Sequence, residues 1–472
     1  MEKRRLDYIV EKTQGEIILE GNSPMSMIEI EKVYQDSRLM EKKGIFFAVK
    51  GDKFDGHSFL RDVIEKGAAA LFIDKERRYD GEVVKLMTEL RGNNFHNRYI
   101  PWIIGVENTQ KALQDLARAY LDDVKPTVIA VTGSTGKTST RDMINQVVSS
   151  KFKTHKNQGN FNTVVGVPLT ILEMEPDAEV IVLEMGMDKI GEIETMVNIA
   201  PPKIAVITNI GLSHMERLGS QDAIFSAKME IAGRLGEEDV LIATGKSPYL
   251  TTKCLRDYGL KSRLVLTGSE GTDGENRLII DDFVDGEEGI SFVITDRKSK
   301  AQQDFLMDIH GRHNSENAAI AVACGIELGI GMERSAKALK KINLTSKRLT
   351  FKECGGYSII DDSYNASPDS VKAALEILNT RKAQRKIAVL GDMKELGKDE
   401  KYLHREIGEY ARKVADLIFT IGPLAYFIDE SNHFDNIDDL TVALKKEICP
   451  GDLILVKASH SMELDKIVKN LE

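Results

Sequence analysis

Only four cysteines occur in the 472 residues, Cys254, Cys324, Cys354 and Cys449, and none stands at a short paired spacing from another. Neither a zinc knuckle nor a disulfide framework can be built from them, which fits a reducing compartment. Long apolar runs are missing too: no window approaches the roughly 18 residues of a membrane span. The opening stretch Met1 to Ile17 is basic at its start but then charged where a leader needs an apolar segment. There is no positive surplus, since Lys+Arg 64 against Asp+Glu 74 leaves a net charge of −10. Nothing therefore draws the whole surface to nucleic acid or to an anionic membrane, and any bound anion must be held locally. The expectation is a soluble cytoplasmic protein with small-molecule partners, no nucleic acid and no membrane span.

What is present is enough chain for about three domains at roughly 150 residues each. The runs Gly44–Val49 and Ala68–Ile73, split by the turn-rich Gly51–Gly56 and a helical stretch, read as a small α/β domain, assigned to residues 1–124. After the polar Asp122–Pro126 the pattern alternates strands (Thr127–Val131, Val180–Leu183, Ile204–Thr208, Val240–Ala243) with helices, which predicts a mostly parallel, doubly covered sheet over 125–345. Period-two alternation in Gly289–Thr295 predicts an antiparallel insertion, and helices close this domain from Asn314 to Ile342. From 346 to 472 a second alternation predicts a Rossmann-like, doubly wound domain: strands Tyr357–Ile360, Lys386–Leu390, Leu417–Ile421 and Leu453–Val456, with helices Asp369–Leu378 and Tyr402–Val414. Its first helix is announced by Ser367 as cap, Pro368 at the first turn and Asp369 beside the positive end of the helix dipole. No G-x-G-x-x-G follows any of these strands, so a dinucleotide role has little support.

The sharpest motif is Gly133-Ser134-Thr135-Gly136-Lys137-Thr138, between a β-branched run and a helical segment. Strand, glycine loop and helix start together form a phosphate cradle, with backbone N–H groups aimed at the anion, Lys137 reaching terminal phosphates and the Thr138 hydroxyl free to bind Mg²⁺. Glu184 ends Val180–Leu183 at the edge where open α/β sheets bind ligands; its other reading is a carboxylate leaving the sheet into solvent. His214 lies in a loop beyond another strand, where a lone histidine is more often structural than a ligand. Lys228 shares a helix face with Ile224 and Ile231. Either its stem packs inward while the ammonium snorkels out, or burial lowers its pKa and the neutral amine takes up CO₂ as a carbamate, an anion able to ligate magnesium. Asp361, Asp362 and the following Ser363–Ala366 end a strand and lead into the capped helix, as ribose or amine contacts or as plain loop and cap chemistry.

The order of these motifs resembles one family, the Mur ligases, ATP-dependent enzymes of bacterial cell-wall precursor synthesis. It rests on Val131–Thr138, Gly159-Asn160-Phe161-Asn162 with Gly166–Leu169, Glu184-Met-Gly186, His214 with Phe225–Ile231, Gly311–Asn314, Asp361–Pro368 and Gly391–Gly397, and it covers nearly the whole chain. The similarity is greatest to the member that adds D-alanyl-D-alanine to a UDP-muramoyl tripeptide. It implies an N-terminal UDP-sugar domain, a central ATPase domain and a C-terminal domain that closes with the amine substrate. It further implies ATP and Mg²⁺, with Thr138, Glu184, His214 and a carbamylated Lys228 serving the metal sites. Asn317, Arg348 and Asp362 become nucleotide contacts, and Ser37, Arg38, Asn160, Asn162, Thr163 and Asn365 become substrate contacts. A monomer is expected.

Departures from the family pattern touch substrate handling more than the ATP site: Thr163 replaces an asparagine, Ser367-Pro368 an Asn-Pro, and Ala458 and His460 a glycine and an arginine, while the usual Asn and Asp are absent near Leu241–Thr244. The competing readings are a folylpolyglutamate-type or other Mur-type ligase, and a non-catalytic nucleotide-gated binding protein on the same scaffold.

Overall fold

A computed structural model describes residues 1–51, 54–92, 99–269, 276–344 and 349–472. The chain forms two compact units, one of Met1–Val128, Phe152–Met185 and Glu194–Pro201, the other of Ile129–Lys151, Gly186–Ile193 and Pro202–Glu472.

The first unit holds a five-stranded sheet in the order Glu16–Leu19, Trp102–Val106, Ala70–Asp74, Ile45–Phe47, Val33–Tyr34. Only its first pair is antiparallel. Phe46, Leu71, Ile73 and Ile103 pack here under the helices Leu60–Glu65 and Gly81–Arg91. Strands buried on both faces are continuous apolar runs, which is why the Ile45–Phe47 and Ala70–Asp74 segments are legible as strands. The unit also holds the parallel pair Thr154–Lys156 with Val180–Glu184, which ends at Glu184.

In the second unit the strand Thr127–Thr132, from Ile129 on, starts a parallel run through Ile204–Ile207, Val240–Thr244, Arg263–Ser269 and Leu278–Gly286. The predicted antiparallel insertion follows as Gly289–Asp296 and Gln302–Met307, with the helices Arg312–Glu327 and Met332–Leu339 after it. A six-stranded sheet forms the C-terminal part, in the order Thr350–Cys354, Tyr357–Asp361, Asp452–Lys457, Arg385–Gly391, Leu417–Ile421, His433–Phe434, antiparallel only at its first pair. Its strands alternate in facing: Ile360, Ala388, Leu390 and Leu455 pack with the helices Pro368–Thr380 and Glu400–Ala411, whereas Ile359, Ile387, Val389 and Ile454 pack with Ile437–Glu447 and Asp465–Leu471. Two covered faces make this sheet doubly wound. Ser367 caps the first helix in a reciprocal box with Ser370, and Pro368 sits at its first position.

The helix Glu400–Ala411 begins two residues before the expected Tyr402 and ends before Val414, whose N–H turns back to Ala411. Gly408 on this helix lies against the Ile428 carbonyl, leaving no room for a side chain. Gly408→Ala should therefore lower stability by about 1–3 kcal/mol despite the ~1 kcal/mol helical advantage of alanine. Urea denaturation followed by circular dichroism measures this, and an unchanged or raised midpoint would contradict the packing described.

Candidate active site

The β-branched strand Thr127–Thr132 gives way at Gly133 to a loop that closes on Gly136, in the left-handed region with φ 77°, and the helix Lys137–Val148 starts at once. Glycine at 136 supplies a turn that other residues adopt only with strain. The loop is held from the side by the segment after Ile204–Ile207. Asn209 Oδ1 accepts from Thr135 N (2.9 Å), Asn209 Nδ2 donates to Thr135 Oγ1 (2.7 Å), Thr208 Oγ1 donates to the Thr135 carbonyl (2.6 Å), and Gly211 N donates to Ser134 Oγ (2.9 Å). Lys137 Nζ curls back to the Gly133 carbonyl at 2.8 Å. These bonds fix the loop from outside and leave its concave face to a ligand, the arrangement in which a helix N-terminus takes an anion.

This loop forms one wall of a cleft of about 770 Å³. Ser134, Thr135, Gly136, Lys137 and Thr138 line it together with Asn317, Asp362 and Asn365, so the structure gathers eight of the nucleotide and substrate candidates. The Asn317 side chain lies over Gly136, where an added Cβ would come within 3.1 Å of its Oδ1. On the opposite wall Asp362 pairs with the buried Lys457, whose Nζ also donates to the Asn365 carbonyl at 2.8 Å. Asp362 and Lys457 stand at the carboxyl ends of neighbouring parallel strands, the edge at which α/β sheets bind ligands. Arg348 lies outside the described residues.

Lys228, on the helix Gln221–Met229, is 1% exposed, so its ammonium does not snorkel to water. Among the described residues its side-chain nitrogen makes no hydrogen bond or ion pair. Burial, and after it the charge of Lys137, push its pKa well below the usual lysine range. His214, with φ 66°, caps the short helix Met215–Leu218; its Nδ1 is 2.9 Å from Glu395 Oε2 and 3.6 Å from Asp188 Oδ1. Beside His214 the Glu395 carboxyl is held below the ordinary glutamate range.

In the first unit Glu184 is 2% exposed, and one of its oxygens accepts from Asn162 Nδ2 at 2.8 Å. Asn157 fixes its backbone in both directions, accepting from Glu184 N and donating to its carbonyl, each at 2.9 Å. Asn160 is exposed, and Thr163 accepts from Gly166 N at 3.2 Å, so its hydroxyl starts the helix Gly166–Glu173. Ser37 is buried, while Arg38, 85% exposed, folds onto Asp36 (Nη2 to Oδ2, 2.6 Å).

Sequence reasoning passed over Asn209, Lys457 and Glu395 as site residues. Glu395 lies within the Gly391–Gly397 segment of the family pattern, but none of the three stands at a motif spacing from its partner: Asn209 and Thr135 are far apart in the chain and meet only through the parallel pairing Ile207 to Thr132.

The Thr138 hydroxyl and, in the first unit, the Glu184 carboxylate are each hard oxygen donors of the kind magnesium takes. Among the described residues no group of three His, Cys, Asp or Glu stands together.

Fold and cleft define an α/β protein with a phosphate loop at its nucleotide site. Family models described as Mur ligase family catalytic domain, Mur ligase middle domain and Mur ligase glutamate ligase domain match residues 29–121, 131–325 and 347–460. The chain belongs to the Mur ligase family. It is 39% identical to the UDP-N-acetylmuramoyl-tripeptide–D-alanyl-D-alanine ligase of Bacillus subtilis (strain 168), over 100% of this chain and 99% of that one. To the ligase of the same name from Escherichia coli (strain K12) it is 28% identical over 96% of both chains. Among solved structures it is similar to MurF from Acinetobacter baumannii (TM-score 0.87, 26% identity, 100% of this chain and 99% of that one). It is also similar to MurF ligase from Thermotoga maritima in complex with ADP (TM-score 0.79, 27% identity, 93% and 97%).

The loop geometry yields one test. Gly133 has φ 150°, and a Cβ there would overlap Thr208 Oγ1. Gly133→Ala must displace the loop or its clasp, a strain of about 1–3 kcal/mol, so ATP affinity by calorimetry should fall by about tenfold or more. Binding at wild-type strength would show that the Thr208 clasp is not needed.

Proposed function

We propose that this chain is an ATP-dependent amide ligase that joins D-alanyl-D-alanine to the terminal carboxylate of a UDP-muramoyl tripeptide, forming ADP and phosphate. The observation that carries this is the cleft in which the phosphate loop, Asn317 and the Asp362–Lys457 pair face one another. The 39% identity to a ligase of that name supports the substrate assignment. Three functional parts, residues 1–124 for the UDP-sugar, 125–345 for ATP and 346–472 for the amine, go with this reading. So do a cytoplasmic location, where ATP and UDP-sugars are found, and action as a monomer. Among the described residues no helix is long and apolar enough to cross a membrane.

A carboxylate resists amine attack because its oxygen leaves poorly and its charge repels nucleophiles. In the proposed reaction a carboxylate oxygen attacks the γ-phosphorus, the bond to ADP breaks, and an acyl phosphate forms. The dipeptide amine, as the neutral base, then adds to the acyl carbon, loses one N–H proton, and phosphate departs with its C–O bond pair and takes up that proton. Both reactants of the first step are anions, so the protein must gather positive charge around them. Lys137 uncurls from the Gly133 carbonyl onto the terminal phosphates, and the loop amides bind the oxygens. The Thr138 hydroxyl and, in the first unit, the Glu184 carboxylate are the donors offered to magnesium, with His214 assisting a second ion. Magnesium supplies charge neutralisation at the phosphoryl oxygens. The neutral amine of Lys228 attacks CO₂: a C–N bond forms as one C=O π pair moves onto oxygen, an N–H proton passes to water, and the resulting carbamate puts an anionic oxygen donor where the lone amine stood. Asp362 and Asn365 hold nucleotide and amine substrate, with Arg348 as a phosphate contact. Ser37, Arg38, Asn160, Asn162 and Thr163 contact the muramoyl peptide.

Phosphate release should require tripeptide precursor and dipeptide together, with the product's mass equal to their sum less water. Release with neither or one alone would replace the ligase reading with a plain ATPase. Lys228→Ala should cut kcat by about a hundredfold or more, the scale of removing one charge-stabilising group, and formate or acetate should restore part of it. Near-normal turnover of the variant would exclude the carbamate.

A further inference from the structure

The segment Gly391–Gly397 leaves the strand Arg385–Gly391 at its carboxyl end and is pinned to its own sheet at several points. Asp392, fully buried, accepts from Leu424 N (2.9 Å) and Ala425 N (2.8 Å) and pairs with Lys394. Met393 N donates to His404 Nε2 at 2.9 Å, while Lys394 N donates to Ser459 Oγ at 2.8 Å and Ser459 N to the Asp392 carbonyl at 3.0 Å. A loop tied in this way is a rigid finger, and what it carries at its far end is set in place by the sheet.

At that far end stands Glu395, with φ 66°, a left-handed conformation uncommon outside glycine. Its carbonyl accepts from Glu216 N at 3.0 Å and its carboxylate meets His214 Nδ1 at 2.9 Å. His214 has the same φ of 66°. Gly397 closes the contact from the other side, where a Cβ would come within 3.2 Å of Glu216 Cα. Two non-glycine residues strained in the same way across one contact persist only where the surroundings fix them, and such strain clusters at functional sites. The other carboxylate near the ring, Asp188, is farther at 3.6 Å and is paired with Arg217 at 2.8 Å. At 2.9 Å the Glu395 carboxylate is within ion-pair reach of Nδ1, although the ring N–H is not aligned on it as a hydrogen bond in this conformation. A small turn of the ring brings it into line, and a carboxylate so placed keeps the ring proton on Nδ1 and leaves the Nε2 lone pair for a ligand, as the partners behind metal-binding histidines do.

We propose that Glu395 is a positioning residue for ligation: carried on a rigid loop of the C-terminal sheet, it sets the orientation and tautomer of His214, so the imidazole is ready only while that loop is docked on the 214–216 turn. This rests on the ligase function proposed above. It assigns the Gly391–Gly397 motif a task and makes docking of the C-terminal sheet a condition of chemistry rather than of nucleotide binding.

Glu395→Gln keeps size and removes charge at a side chain 41% exposed, so the fold is not at stake. In steady-state ligation by the full-length enzyme, kcat should fall by about 10- to 100-fold, the range for partners behind metal-binding histidines, with the KM for ATP little changed. Glu395→Asp, which keeps the charge, should retain more kcat than the glutamine variant. In a His214→Gln background the same substitution should have little further effect. Ring-nitrogen NMR of histidine-labelled protein, with His214 assigned by its loss in His214→Gln, should show the Nδ1-protonated tautomer in the wild type and a mixture in Glu395→Gln. Unchanged kcat, an equal loss in both backgrounds, or unaltered His214 ring signals would each overturn the proposal. Absence of product from the wild type would instead count against the ligase reading, while the NMR arm still decides whether Glu395 governs His214.

Discussion

An ammonium removed from water beside a second ammonium is tolerated only if it gives up its proton or acquires an anion. Lys228 is in that situation: enclosed by an apolar helix face, without a partner among the described residues, and near enough to Lys137 to feel its charge. Lys137 Nζ meanwhile lies on the Gly133 and Ser134 carbonyls, which a phosphate would displace. An anion bound at the loop would ease the repulsion that Lys137 exerts on a protonated Lys228.

The fold supplies this arrangement by stacking strand ends. Parallel pairing of Thr127–Thr132 with Ile204–Ile207 puts the phosphate loop next to Thr208 and Asn209, whose side chains brace it. A second parallel pair, Tyr357–Asp361 with Asp452–Lys457, places Asp362 against Lys457 across the same cleft. Arg381, from the C-terminal sheet's first helix region, donates to Asp285 Oδ1 and the Gly286 carbonyl, each at 2.8 Å, joining the two sheets of the second unit beside Gly311. Each polar group is placed by backbone pairing first and by side-chain bonds second, so the wall positions are stiff before any ligand arrives.

Much of this was legible in the sequence wherever the information is local. Val128–Val131 is buried and β-branched, Gly133 and Gly136 need unusual backbone angles, and Ser367-Pro368 starts a helix, so strand, loop and capped helix could be read from neighbours alone. The Ile224, Lys228, Ile231 stripe exposed the odd lysine, although helical spacing alone could not choose between burial and snorkelling; the structure buries it. What stayed hidden depends on partners far along the chain. Asn209 braces Thr135 from a loop 74 positions away, Lys457 meets Asp362 from 95 positions away, and Glu395 reaches His214 only because two sheets dock. Residue type gave no hint, since each is an ordinary polar residue in a loop or at a strand end. The short strands Thr154–Lys156 and His433–Phe434 also escaped notice, being too brief for any period to show.

Whether charge gathered at the loop serves to activate an acid is decided by following its oxygen. With oxygen-18 in both positions of the tripeptide's terminal carboxylate, ligation in unlabelled water should release phosphate carrying one labelled oxygen, counted by mass spectrometry. Phosphate released without label while the amide bond still forms would contradict an acyl phosphate and the account built on it.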